Sequence, residues 1–201
     1  MNSLDNILDS FKGKGKLFIA SIILFIAGIL TGYYLFGYNP DFIFLNANKF
    51  LGNIMKIGEA MAKSSKLHIT GLIFQNNIKA LLVMMFGGLA FGLIPVFSIF
   101  FNGFIIGIVM ALSFYHGKTM TFFLAGILPH GIMELPAVLG AGAFGLKTGL
   151  DLVYPGKRGR IYLLKENLRK NVLSLGIFVP VLFLAAAVEA IITPHVIKLF
   201  T

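Results

Sequence analysis

The chain predicts an all-α fold: a polytopic membrane helix bundle of about five transmembrane helices, accompanied by interfacial amphipathic helices. Three observations carry that expectation. Of 201 residues, 57% are hydrophobic and only 12% charged, with a mean hydropathy of +0.88, far outside the soluble globular range. The apolar residues form runs of about 20 or more, long enough to cross a bilayer. The basic residues sit beside those runs, so the positive-inside effect accounts for the net charge of +9 and nucleic acid is not an expected partner. With no cysteine there is no disulfide framework and no thiolate metal site.

Residues 1–16 read as a short polar leader ending in Lys12, Lys14 and Lys16. The run from Leu17 to Tyr38 is too long for a cleaved signal peptide and is expected as a retained first span, 17–38, with its lysine end cytoplasmic. Tyr33, Tyr34 and Tyr38 cluster at its far end as an interfacial belt would, and Asn39-Pro40-Asp41 stops it. From 42 to 66 the pattern changes. Phe50, Ile54, Ile57 and Met61 recur at helical spacing while Lys49, Lys56 and Lys63 repeat on another face, which predicts an amphipathic helix in the interface.

Ile69 to Tyr115 is long enough for two spans, near 70–94 and 96–115, with the turn marked by Gly92 and Pro95. Gln75, Asn76, Asn77 and Lys79 gather in the first and Asn102 in the second, either as hydrogen-bonding glue or as the lining of a polar pathway. Thr119 to Leu150 holds Pro129, His130, Glu134 and Pro136 within eight residues, so this span is expected to be broken at Pro129–Gly131. Residues 147–170 are the most basic stretch and contain every arginine of the chain, with Ile161, Leu164 and Leu168 able to lie flat on a membrane. A last span runs from about Val172 to Ile192, interrupted by Pro180. Five crossings put 1–16 and 147–170 on one side; a re-entrant 119–150 segment would separate them. Gly28 and Gly32, Gly88 and Gly92, Gly103 and Gly107, Gly145 and Gly149 form four pairs that let helices approach closely, within one protomer or between two.

Costly chemistry concentrates in the proline-bearing span. His130 and Glu134 stand one helical turn apart, the spacing at which one helix offers two ligands to a metal ion. A catalytic zinc site needs three protein ligands; His68, His116 and His195 lie at span ends, and no second histidine completes a zinc-protease pattern. Nucleophile elbow, phosphate-binding glycine loop and cysteine nucleophile are all missing, which argues against an enzyme. Glu134 and Glu189 are the two acids inside apolar spans, where a carboxylate suits proton or cation relay, or braces a helix.

The Asn76-Asn77 pair, Pro95 followed by Asn102-Gly103 and Gly107, the run His130-Gly-x-x-Glu134-Leu-Pro136-Ala137, and Val188-Glu189-Ala190 before Thr193-Pro194 together resemble the stage II sporulation protein M family of integral membrane proteins. The resemblance covers the 69–194 core of a single 1–201 membrane domain, and it marks His130, Gly131, Glu134, Pro136, Asn76, Asn77, Asn102, Gly103 and Glu189 as motif positions. It implies a multi-pass protein of the cell membrane. The family's namesake works with peptidoglycan-degrading partners in engulfment; nothing in this chain is specific to sporulation. Three functions follow as expectations: an oligomeric channel or transporter with His130 and Glu134 at its centre; a non-catalytic scaffold recruiting membrane partner proteins; and an intramembrane enzyme with a metal ion on His130 and Glu134. Membrane lipids and further copies of the chain are the expected partners.

Overall fold

The structure, a computed structural model, describes residues 3–200, so the first two residues of the 1–16 leader and Thr201 lie outside the described residues. It is helical throughout, with no strand among the described residues. Five helices are long and apolar enough to cross a membrane: α2 (Gly15–Tyr38), α5 (Lys66–Phe86, extended by a 3-10 turn to Leu89), α6 (Leu93–Tyr115), α7 (Met120–Val153) and α8 (Arg160–Ile191). Four short elements accompany them: α1 (Ser3–Phe11), α3 (Pro40–Leu45), α4 (Ala47–Lys63) and α9 (Thr193–Ile197).

The leader is more than a polar tail. Asp5 and Asp9 fall on one side of α1 and Ile7 and Phe11 on another, so the helix can turn an apolar edge to the bundle. Phe11 stands edge-on to Phe144 of α7 and Phe178 of α8, at ring separations of 5.1 and 5.5 Å. Gly13, at φ +76°, makes the turn into α2. Lys14 is buried there, donates to the Ser10 carbonyl and lies 4.1 Å over the Phe144 ring. The leader and the start of the basic loop therefore share one end of the bundle, as five crossings require.

The 42–66 stretch folds as α3 and α4. Asn39 caps α3 by accepting from the Phe42 amide at 3.0 Å, with Pro40 supplying a pre-set first turn. α4 then runs back along α5, where Asn53 meets Asn76 at 3.3 Å and Ile57 packs against the buried Ile69 and Ile73. Asn76 is ten residues into α5, so this connector reaches roughly 15 Å along the bundle. Its lysines, Lys49, Lys56 and Lys63, remain exposed.

The chain reverses between α5 and α6 at Gly92, slightly before the Pro95 that also marks the turn. The turn occupies 87–92, closed by Phe91 and Gly92 at φ 54° and 82°, and Pro95 sits inside the first turn of α6, where an amide has no helical partner to lose. A larger departure concerns α7. The expected break at Pro129–Gly131 is not an interruption: 34 residues run as one helix with Pro129 and Pro136 inside it. Each proline removes one donor, leaving the carbonyls of Ala125 and Ile132 without their usual partner. α2, α5, α6, α8 and α9 all pack against this helix, and that enclosure keeps it continuous where an isolated one would bend or end. Likewise the 160–170 part of the basic stretch is no separate flat helix but the first turns of α8, stiffened by Lys170–Glu166 and Arg158–Glu166 ion pairs at 2.6 and 3.2 Å.

All four glycine pairs act inside the protomer. Gly28 and Gly32 of α2 lie against the carbonyls of Phe100 and Phe104, and Gly103 and Gly107 of α6 lie against those of Phe25 and Ile29. The contact is reciprocal: each helix buries its glycines in the other's backbone. At the basic end Gly145 meets the Met84 carbonyl, Gly88 the Gly145 carbonyl, and Gly149 the backbone of Phe91 and Gly92. No Cβ fits at Gly28, Gly32, Gly88, Gly103, Gly107, Gly145 or Gly149 without moving backbone, and Gly92 is held to glycine by its φ of +82°. Polar groups close the same end. Asn171 donates to the Met85 carbonyl at 3.3 Å, near the end of α5 where helical partners run out. Asp151 is held by Lys147 and by Asn167 at 2.5 and 2.8 Å.

Two measurements check this packing. Gly32→Leu should lower the thermal stability of detergent-purified protein by about 2–3 kcal/mol, because overpacking here forces two backbones apart, whereas the exposed Gly37→Leu should change it little. Lys14 supplies the second. Burial, then the Lys170 and Lys147 charges, hold its pKa down at about 8 against an ordinary 10.5, only partly offset by Glu166 and Asp151. The unfolded chain then binds more protons than the folded one between those values, so stability should rise with pH from about 8 to 10.5. Thermal melts of wild type minus Lys14→Met should carry that slope; a pH-independent difference would refute the assignment.

Candidate functional site

His130 and Glu134 project from one face of α7, as their spacing requires, into the seam between α7 and the last two turns of α8. Glu189 of α8 comes to meet them. Its Oε2 is 3.8 Å from His130 Nε2, and the His130 and Glu189 side chains are only 15% and 24% exposed. Ligand atoms of His130, Glu134 and Glu189 all lie within 4.8 Å of one another. Thr193, at the start of α9, holds the far side of the imidazole: its Oγ1 is 3.4 Å from His130 Nδ1. Asn77 of α5 approaches the Glu134 carboxyl from the third side. One oxygen of that carboxyl, Oε2, is buried and has no hydrogen-bond partner among the described residues.

The local reasons are plain in the chain. Gly131 is buried beside Ile127 and Leu135, where a larger side chain would crowd the turn that carries His130. Pro194 starts α9 and turns the chain at Thr193, so a hydroxyl comes over the ring. Pro136, the other proline of the motif, is exposed and contributes no contact to the cluster. By helical rise the cluster spans depths about 17–27 Å from the basic end, taking Lys147 of α7 and Gly88 after α5 as its level. It therefore lies in the half of the bundle away from the basic residues, covered by α9.

The remaining amides form a second polar region. Asn76 donates to Asn77 Oδ1 at 3.3 Å and accepts from Asn53 of α4 at 3.3 Å. Asn77 thus belongs to both regions and links them. On the outer side lies an open groove of about 630 Å³ between α4, α5 and α6, lined by Asn53, Asn76, Lys79, Ser98 and Asn102 among apolar residues. Asn102 spends its donor on the Ser98 carbonyl of its own helix, at 2.8 Å, and does not reach the cluster. Gly103 is a packing position of α6, not a lining residue. Lys79 and Gln75 are exposed on α5. Lys79 has no ion-pair partner among the described residues.

Of the sequence candidates, His130, Glu134, Glu189 and Asn77 come together, Asn76 stands one hydrogen bond away, and Asn102 is apart. Sequence reasoning missed the roles of Asn53 and Thr193. Asn53 gives no signal, being one polar residue on an amphipathic helix. Thr193 could have been found, since a helix-starting Thr-Pro follows Glu189 closely. The outlying histidines stay out: His116 bonds back to the Leu112 carbonyl of α6, His195 to the Ile191 carbonyl at the end of α8, and His68 lies near the start of α5.

Comparison with known proteins agrees with this picture. The chain is 28% identical over 190 residues to an uncharacterized protein of Methanocaldococcus jannaschii, covering 91% of this chain and 80% of that one. A second uncharacterized protein of the same organism is 31% identical over 126 residues, covering 62% and 70%. No solved structure matches the chain. The family model described as stage II sporulation protein M matches residues 21–194, which takes in α5 to α8, the asparagine pair, the whole cluster and Thr193. By that match, the chain belongs to the stage II sporulation protein M family of membrane proteins.

Proposed function

We propose that this protein is a homo-oligomeric membrane channel or transporter whose polar route enters at the α4–α5–α6 groove and leads through Asn76 and Asn77 to Glu134, Glu189 and His130. The observation that carries this reading is the position of Lys79. It is exposed, it lies on the groove, and it is thirteen residues from Lys66 and ten from Leu89. That puts it about 15–20 Å along the helix from either end, whereas an extended lysine reaches only about 6 Å. Against acyl chains such a charge costs about 2.5–3.5 kcal/mol even on insertion-based scales. Water, or another copy of the chain, relieves that cost. The neighbouring amides Asn53, Asn76 and Asn102 and the exposed Gln75 add polar groups to the same, otherwise apolar, face.

The asparagine chain gives the route a direction. Asn53 donates to Asn76 and Asn76 donates to Asn77 Oδ1, which leaves the Asn77 amide nitrogen for the carboxyl it approaches. An ordered line of amides ending on a carboxylate suits a cation or a protonated solute better than an anion. The basic end, with all arginines and the leader lysines, is assigned to the cytoplasm by the positive-inside effect, which turns the cluster toward the opposite face.

Flux in proteoliposomes tests the reading. Wild type should move cations, and Glu134→Gln should cut the rate about tenfold, the effect of roughly 1.4 kcal/mol on a barrier. Flux equal to empty liposomes for monovalent cations, divalent cations and anions alike would remove the proposal. Oligomerisation is tested separately. The chain has no cysteine, so Lys79→Cys is a clean single-cysteine probe. It should cross-link into dimers or higher species in membranes, while the lipid-facing Ile23→Cys, 62% exposed on α2, should not.

A further inference from the structure

We infer that His130, Glu134 and Glu189 form a binding site for one divalent transition-metal ion, of the zinc, manganese or ferrous class. This deepens the pathway reading and rests on it for the route by which an ion arrives; whether the ion binds is a separate question from whether it passes.

Four features converge. The donor set is one imidazole nitrogen and two carboxylates, which suits first-row divalent ions and not calcium or magnesium, whose sites use oxygen alone. The donors come from two helices and lie within 4.8 Å of one another. Metal bonds of about 2.0–2.2 Å place neighbouring ligands roughly 3–3.6 Å apart, so the three need to close by about 1 Å. Rotation about glutamate side-chain bonds supplies that without moving a helix. The imidazole is arranged as a ligand would be: Nδ1 faces the Thr193 hydroxyl and Nε2 faces Glu189. A metal-binding histidine is commonly held in this way through its other nitrogen. Lastly, Glu134 has a buried carboxyl oxygen that no protein donor satisfies. A native bundle rarely leaves such an atom unpaired in an apolar seam.

Charge supports the same conclusion. No lysine or arginine pairs with Glu134 or Glu189 among the described ion pairs; His130 alone does. When both carboxyls are ionised, a divalent ion balances their charge in full, giving a neutral site that is far less costly to bury than either carboxylate alone. With three protein ligands, a further position stays open to water or to a passing solute.

The experiment uses the full-length protein in detergent, stripped with chelator and then dialysed against zinc, manganese or cobalt(II). Elemental analysis should find one equivalent per chain for at least one of them, and cobalt should give visible ligand-field absorption. Glu189→Gln, nearly isosteric and able to keep the fold, should lower occupancy at least tenfold, as should His130→Ala if it remains monodisperse. Thr193→Val leaves every ligand in place and should weaken affinity about 10–100-fold through the ring it positions. Below a tenth of an equivalent for all three metals in folded wild type, or undiminished binding in Glu189→Gln, overturns the site. A protein that binds metal but conducts nothing loses the pathway and keeps the site; one that conducts without binding keeps the pathway and loses the site.

Discussion

Helices in lipid have little hydrophobic reason to prefer one another over acyl chains, so close backbone approach must hold this bundle together. The reciprocal glycine contacts do that. α2 and α6 bury two glycines each in the other's carbonyls, and α7 presents Gly145 and Gly149 to the turn after α5. These contacts hold α2 against α6, and α7 against the end of α5, at distances where dispersion and weak Cα–H···O contacts are maximal. In the buried stretch of α7 from Ala137 to Leu146, six of the ten positions are Gly or Ala. Everything nearer the other end of α7 is held by what this packed half allows.

Along α7 the result is two unlike halves. The half near the basic end is small-residue, close-packed and closed by Lys14, Asn171 and Asp151. The half away from it carries both prolines of α7 and the three-residue cluster, while the outer groove flanks the middle of the bundle. That division explains how α7 can contain Pro129 and Pro136 and stay helical. Five other helices pack along it, and Ala125, whose carbonyl Pro129 leaves free, is buried, whereas Ile132, whose carbonyl Pro136 leaves free, is exposed. It also explains the close approach of Glu189 to His130, since α8 leaves the packed end already aligned with α7.

Much of this was legible in the sequence, for identifiable reasons. Span number and rough limits follow from apolar runs, because the bilayer imposes one length on every crossing. The meeting of His130 with Glu134 follows from helical period alone. The meeting with Glu189 and Asn77 does not, because it depends on how α5, α7 and α8 pack, and spacing along one chain carries no such information. The glycine pairs announced close approach but not partners; reciprocity between α2 and α6 needed coordinates. The continuity of α7 was misjudged because proline rules describe a helix by itself, whereas this one is enclosed. Residues 3–11 read as part of a polar leader because two aspartates and the following lysines set its tone, yet Phe11 fits between two core rings and that is enough to dock them.

Depth decides what the cluster can do. A carboxylate pair at the centre of the bundle, sealed on both sides, could only brace it. Here Glu189 stands two residues from the end of α8, and α9 covers it with one short turn rather than a full helix. The asparagine chain, by contrast, begins at the groove near mid-span and climbs to the cluster from within. The two polar regions thus occupy successive levels of the same half, joined at Asn77 and separated from the basic end by the glycine-packed layer. A solute reaching the cluster from either region would still face that layer, whose glycines leave no room between backbones. Within one protomer the contacts at Gly88, Gly145 and Gly149 close the bundle between the cluster and the basic end, so the proposed route, once past the cluster, would need a second copy of the chain to continue beyond that layer.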